Sequence, residues 1–390
     1  MLDSIYIGIT GLQGYSNGLR TIANNTANIN TPGFKSSSLQ FSNLFYAQGN
    51  SGGGTTSQMG YGLNTGATTL NFKQGEMRQT GNDLDMAVDG DGMFTLQDSA
   101  GKTHYTRAGQ FEFNPQGELV NRSDQSNVMG FNAQGALTKV SIDNLKTNPA
   151  VATTTMTFTG NLDASSTQTI GNLTVIDAAG GKHDLAAQFT PPATAGDAWA
   201  VEFLEGGTKV GDGTLAFING RPDPADAKIV WNYTPPGLGV QKLTFDFSNN
   251  VTAFASTGQT LLAMDTQDGF AAGTLTRMTF DETGTLVINY SNGQTVKGAK
   301  LALGRFDTPA DVVADGGNQF DAANNSVWHS GTAGTANFGA VHSGMVEISN
   351  VDLSQEFSDL VITQRGYQAA SQIISSANDM LQELFAMKGK

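Results

Sequence analysis

Cysteine is absent from all 390 residues. That excludes a disulfide framework, thiolate catalysis and cysteine-ligated zinc. Charge is scarce as well: Asp, Glu, Lys and Arg make up 14% of the chain, and the formal net charge is −14. Lys and Arg stand singly, without a run, so no basic patch could neutralise several phosphates and a nucleic-acid partner is not expected. No window approaches roughly 18 apolar residues, so no membrane insertion through a helix is expected. The N-terminal "MLDSIYIGITGLQGYSNGLR" has no cationic start and no continuous apolar stretch, unlike a cleaved secretory signal. There is no dinucleotide fingerprint and no P-loop.

Glycine, in contrast, is plentiful. The chain has 48 in 390 residues, about 12% against an average near 7%. A Gly-rich, charge-poor chain of this length reads as two or three units built from short strands and tight turns. The two ends break that pattern. Leu2, Ile5, Ile9, Leu12, Leu19 and Ile22 form a heptad-like stripe with Ser16 at the missing step, which predicts a helix over 1–29. Gly8, Gly11, Gly14 and Gly18 lie in the same segment, each weakening it by about 1 kcal/mol relative to alanine. Near the other end, Leu353, Phe357, Leu360, Gln364, Tyr367, Ser371, Ile374, Asn378 and Leu381 recur at gaps of four and three, predicting a helix over 352–390. Asp352 is its expected N-cap, with Gln355 completing the start signal. Both stripes are narrow and long, so they read as one coiled coil made from the two termini, with Gln364 and Asn378 setting register. The alternative, each helix packing on its own β unit, stays open on the sequence alone.

Between the ends the chain alternates strand-like runs with Gly, Asn and Asp turns. "QFEFNPQGELVN" (110–121) reads as strand, turn, strand, and "MTFDETGTLVINYSNGQTV" (278–296) repeats the pattern. They flank a block with its own turn-bounded strands. The expected fold class is therefore mixed: an α-helical terminal coiled coil plus two nested all-β domains. A discontinuous β domain spans 77–146 and 273–345, an inserted outer β domain spans 147–272, and a linking arm covers 30–76 with 346–351.

Candidate chemistry is thin. "GNSGG" around Ser51 matches a nucleophile-elbow pattern, but an elbow needs a strand before it and a helix after it. The residues after Ser51 are rich in Gly, Thr and Ser, so the stretch reads as a loop. "DLDMAVDGDG" (83–92) clusters aspartates, yet from Asp83 or Asp89 the fifth position is Ala87 or Met93, which breaks the EF-hand ligand pattern. His104, His183, His329 and His342 are dispersed. No catalytic, cofactor-binding or metal-ligating residue is assigned, and no cofactor is expected.

"ANNTANINTPGFK" (23–35) holds Asn24, Asn25, Asn28 and Asn30, then Pro32, Gly33 and Phe34. Asparagine bonds nearby backbone, and Thr31 before Pro32 is pushed out of helical geometry. The segment therefore ends the first helix and turns the chain outward. "NNTANINTPGFK" resembles the N-terminal signature of the bacterial flagellar rod and hook family, and "SNVDLSQEFSDLVITQRGYQAASQIISSANDML" resembles its C-terminal one. "GNDLDMAVDGDGMFTL" and "YTRAGQFEFNPQGELVN" look like that family's first β domain. The large central insertion and "GFAAGTLTRMTFDETGTLVINYSNGQTVKGAKLALGRF" are similar to the hook members.

The resemblance implies a structural, non-enzymatic subunit that polymerises with itself into the curved tube coupling rod to filament, transmits torque and encloses an export channel. It implies rod and hook–filament junction proteins, a hook cap and the flagellar type III export apparatus as partners. The location implied is extracellular, in the flagellum, reached without a cleaved signal. The alternatives are a rod or hook-like axial protein and, from another class, a surface adhesin or carbohydrate-binding β protein.

Overall fold

The computed structural model describes residues 2–51, 55–194, 196–256, 261–322, 328–335 and 337–388. The architecture is mixed as expected, with a helix at each end and β structure between. The chain divides into two compact units. One comprises Met1–Asp143, Met278–Val287 and Lys297–Lys390; the other comprises Asn144–Arg277 and Ile288–Val296.

In the first unit, helix α1 spans Leu2–Ala27 and helix α2 spans Leu353–Lys388. At 1.5 Å per residue they reach about 39 and 54 Å. The Asp352 carboxylate accepts hydrogen bonds from the backbone amides of Ser354 (2.9 Å) and Gln355 (3.2 Å), capping α2. The Gln355 side chain does not return to the cap; it donates forward to Asp359 at 3.1 Å.

After α1 the chain forms a paired ribbon. Strand β1 (Ser37–Asn43) pairs antiparallel with β4 (Leu63–Leu70), and β2 (Tyr46–Ser51) pairs with β3 (Thr55–Gly60). Ser51, expected in a loop, instead ends strand β2 and pairs with Thr55 of β3, while the glycines that follow it lie outside the described residues. Strand β5 (Met77–Gln79) then pairs with Met345–Glu347, and Met86–Asp89 pairs with Ala340–Ser343. Outgoing and returning legs are therefore stitched together.

The main sheet of this unit orders Thr295–Phe306, Asn127–Phe131, Met93–Gln97, Thr103–Thr106, Gln319–Ala322 and Val312–Gly316 side by side. The "QFEFNPQGELVN" stretch forms the expected hairpin, with Phe111–Phe113 paired to Leu119–Asn121. Gly117 closes its turn on Asn114. The core holds Met86, Phe94, Leu96, Phe111, Leu119 and Leu303.

The second unit packs two sheets around one core. A four-stranded meander runs Gln168–Ile176, Lys182–Thr190, Trp199–Glu205 and Thr208–Leu215. The other sheet centres on Thr155–Asn161, which pairs parallel with Gln241–Asp246 and antiparallel with Ala263–Gln267. Alternating residues from both sheets meet inside. Phe203 stacks on Trp231 (4.9 Å) and on Phe245 (4.3 Å), and Phe158 stacks on Phe247 (4.6 Å).

Candidate assembly site

The two terminal helices pair antiparallel, through a seam of small residues. A Cβ on Gly8 would fall 2.6 Å from Cγ1 of Ile374, and one on Gly11 would fall 3.3 Å from the Ala370 Cβ. One on Gly18 would fall 3.2 Å from the Thr363 methyl. The pattern reverses midway, where a Cβ on Gly366 would enter the Tyr15 ring at 2.5 Å. Gly8, Gly18, Ile22, Thr363, Ala370 and Ala377 are buried. An adjoining side of α1 meets the ribbon: Gly14 lies against Leu63, and Tyr15 tilts on Phe41 at 5.9 Å. The Thr10 hydroxyl accepts from the Leu63 amide at 3.2 Å.

This seam differs from the predicted stripes. On α1, Ile22 is buried, Ile5, Leu12 and Leu19 are half-buried, and Ile9 is exposed; the Leu2 side chain lies outside the described residues. On α2, Leu360, Ile374 and Leu381 are half-buried, whereas Leu353, Phe357, Gln364, Tyr367 and Asn378 are exposed. Gln364 and Asn378 therefore do not sit between α1 and α2. The cause is steric: where the helices approach on glycine and alanine, only the few larger side chains set against a glycine, such as Ile374 on Gly8, enter the contact. Others remain outside. Ile362 is 67% exposed and Phe385 73%, and Ile373, Met380 and Leu384 are exposed along the same helix.

The asparagine-rich turn forms the root of the helix pair. The Asn25 amide donates to the Ser37 carbonyl and to Glu356 Oε1, both at 2.8 Å, and its oxygen accepts from the Ser37 amide at 3.0 Å. One buried side chain thereby ties the end of α1 to β1 and to the first turn of α2. Burial, with Asp359 and Asp352 adding to it, holds the Glu356 carboxyl above its ordinary range, and the Asn25 bond opposes the shift. Asn28 donates to the Asn24 carbonyl at 2.9 Å and accepts from Thr31 at 3.0 Å, while Asn24 and Asn30 are exposed. Pro32 and Phe34 are half-buried. Gly33 is buried at φ +70°, and a Cβ there would fall 2.4 Å from the Ala108 nitrogen. No larger residue fits.

Sequence reasoning missed what lies beneath. Lys35 and Glu347 are both fully buried and meet at 2.6 Å; Glu347 also accepts from Arg107 (3.2 Å) and from the Gly75 amide (2.8 Å). Arg107 also donates to the Val88 (2.9 Å) and Gly90 (2.6 Å) carbonyls. Burial pulls Lys35 and Arg107 below their ordinary values, and Glu347 opposes this in both. Asn350 adds a clasp, donating to the Asn71 (2.7 Å) and Lys73 (2.8 Å) carbonyls and accepting from the Ser36 amide at 2.7 Å. The partners of Glu347 and Asn350 stand 240 to 314 positions away, and only a lone Glu between Val346 and Ile348 hinted at them.

One group among the described residues has ligand-like spacing: His104, Asp315 and Asp321. The Lys102 ammonium already bonds both carboxylates, supplying the positive charge an ion would bring.

Three family models match the chain. Residues 5–35 match the flagella basal body rod protein model, 87–161 the flagellar hook protein FlgE/F/G D1 domain, and 342–387 the flagellar basal body rod FlgEFG protein C-terminal model. The flagellar hook protein FlgE of Escherichia coli (strain K12) is 30% identical over 409 residues, covering 97% of this chain and 98% of that protein. The flagellar hook protein FlgE of Borreliella burgdorferi is 28% identical over 446 residues, covering all of both. Among solved structures, the crystal structure of Helicobacter pylori flagellar hook protein FlgE2 superposes with a TM-score of 0.53 at 12% identity. It covers 69% of this chain and all of that one, a likeness of fold.

Proposed function

The chain belongs to the flagellar hook protein family, and on that premise we propose that its paired terminal helices are the element through which copies assemble into the hook. The chain is a structural subunit of the bacterial flagellar hook. The observation that carries the assembly reading is the division of labour on α2. Its small residues, with Ile374, close on α1, whereas Phe357, Ile362, Ile373, Met380, Leu384 and Phe385 are left in water along its length. At about 25 cal/mol per Å² of apolar surface removed from water, covering that face against further copies is a strong drive to polymerise.

In the assembled tube the helices line the inner wall and the central export channel, and the β units form the outer layers. The tube couples rod to filament and transmits torque. It joins rod proteins at one end and hook–filament junction proteins at the other, grows beneath a hook cap, and receives subunits through the flagellar type III export apparatus. The location is extracellular. The role is mechanical, with no catalytic step.

Electron microscopy of the purified chain under polymerising conditions tests this, compared with a variant lacking residues 1–34 and 350–390. The expected result is curved hollow tubes from the full chain and none from the truncation. Discrete oligomers or monomers from both would remove the assembly role of the helices and turn attention to a ligand for the second unit.

A further inference from the structure

Within the second unit, His183 occupies a position that the assembly reading does not use. It lies at the start of the strand Lys182–Thr190, with its side chain mostly buried. Its Nδ1 is 2.9 Å from Glu205 Oε1, and its Nε2 is 3.0 Å from Asp177 Oδ2. A neutral imidazole has one N–H and one lone pair, so it would turn that lone pair on a carboxylate oxygen. Only the imidazolium can donate to both.

The surroundings hold both carboxylates in place. Asp177 Oδ1 accepts from the Ala179 (2.7 Å) and Gly181 (2.8 Å) amides. A Cβ on Gly181 would fall 2.5 Å from Asp177 Oδ2, so only glycine leaves that oxygen free for the ring. Glu205 ends the strand Trp199–Glu205, and its Oε2 accepts from the Tyr233 hydroxyl at 2.9 Å. Tyr233 ends Lys228–Tyr233 in the opposite sheet, and the His183 ring meets the Tyr233 ring edge-on at 5.6 Å. The chain of contacts Asp177–His183–Glu205–Tyr233 thus runs from one sheet to the other at one end of the core.

We propose that His183 is a proton-operated latch at this corner of the unit, closed on Asp177 and Glu205 of its own sheet while the ring is an imidazolium and released as the surroundings turn alkaline. Release leaves Asp177 and Glu205 facing a ring with one donor too few, so this corner of the meander loosens first, and with it the Glu205 carboxylate that anchors Tyr233 of the opposite sheet.

The electrostatics agree in sign. Burial disfavours the charged ring, but the bonds to Asp177 and Glu205 outweigh it and raise the His183 pKa above its ordinary value of 6.5. Burial and Glu205 raise that of Tyr233, which keeps its hydroxyl a donor through the same range. A group whose pKa is raised on folding contributes stability that is fully present below its unfolded pKa. That stability is lost as pH rises through the folded value. The window therefore opens near pH 6.5 and extends upward.

Hydrogen exchange of the full-length monomer tests the latch, following 182–190 and 228–233 across that window with intrinsic rates divided out. Since one proton is linked, protection of the wild-type segments should fall by at most about tenfold per pH unit, while His183→Gln shows no such slope. Nitrogen NMR of the wild-type ring gives an answer that does not depend on the variant folding. A ring doubly protonated past pH 6.5 supports the latch. Equal slopes in both proteins, or a ring already neutral below pH 6.5, would overturn it.

Discussion

The second unit and the terminal helix pair handle large apolar side chains in opposite ways. The sandwich turns Phe158, Phe189, Phe203, Phe245 and Phe247 inward, where each is essentially inaccessible, and rings from the two sheets stack on one another. The helix pair closes on glycine and alanine and leaves Phe357, Ile362, Leu384 and Phe385 outside. One region completes its core within a single chain; the other stops short of doing so. A sheet pair has two broad faces that cover each other, whereas two helices bury only facing stripes and keep the rest of their circumference open.

That contrast can be broken most severely inside the sandwich. Phe245→Ala removes a ring that packs on Phe158, Phe203 and Trp231. It should destabilise the second unit by about 3–5 kcal/mol, read as an earlier tryptophan-fluorescence transition in denaturant. A smaller effect is expected at the helix seam. Gly366→Leu forces a side chain into the Tyr15 ring, and overpacking of that kind costs about 1–3 kcal/mol. Loss of helical circular dichroism at lower denaturant, with the sandwich transition unmoved, is the expected signature. The smallest effect on the monomer sharpens the contrast most. Ile362→Ser combined with Leu384→Ser should shift monomer stability by no more than about 0.5 kcal/mol per site, yet abolish sedimentable polymer. If that double variant polymerises normally, the exposed face of α2 is not what neighbouring copies cover.

Much of the fold is legible in the sequence, and the failures are specific. Three-four spacing locates both helices, and Asp352 caps α2 as expected. Turn residues such as Asn114 and Gly117 place hairpins correctly. The face on which α1 and α2 meet is not legible, because a stripe of large apolar residues ordinarily marks the contact between two helices. In this pair the stripe is split: Ile22 and Ile374 lie in the contact, whereas Ile9, Leu353, Phe357 and Tyr367 are left free, and the glycines that weaken α1 in isolation are what allow close approach. Asn25 looks like one of several turn residues, yet it alone bridges Ser37 and Glu356, a partner 331 positions away. The buried meeting of Lys35, Glu347 and Arg107 leaves no periodic trace, since each is a single charged residue in an otherwise ordinary strand or loop.

The sequence by itself determined the terminal helices, the hairpin turn at Asn114–Gly117 and, through the missing cysteine, the absence of thiol chemistry. These follow from local preferences that act over a few residues. The tertiary structure alone decided which helix faces touch, which asparagine carries the root, and that His183 stands between two carboxylates. Such outcomes depend on groups distant in the chain being brought within a few ångströms, where the size of one side chain decides what the next can reach.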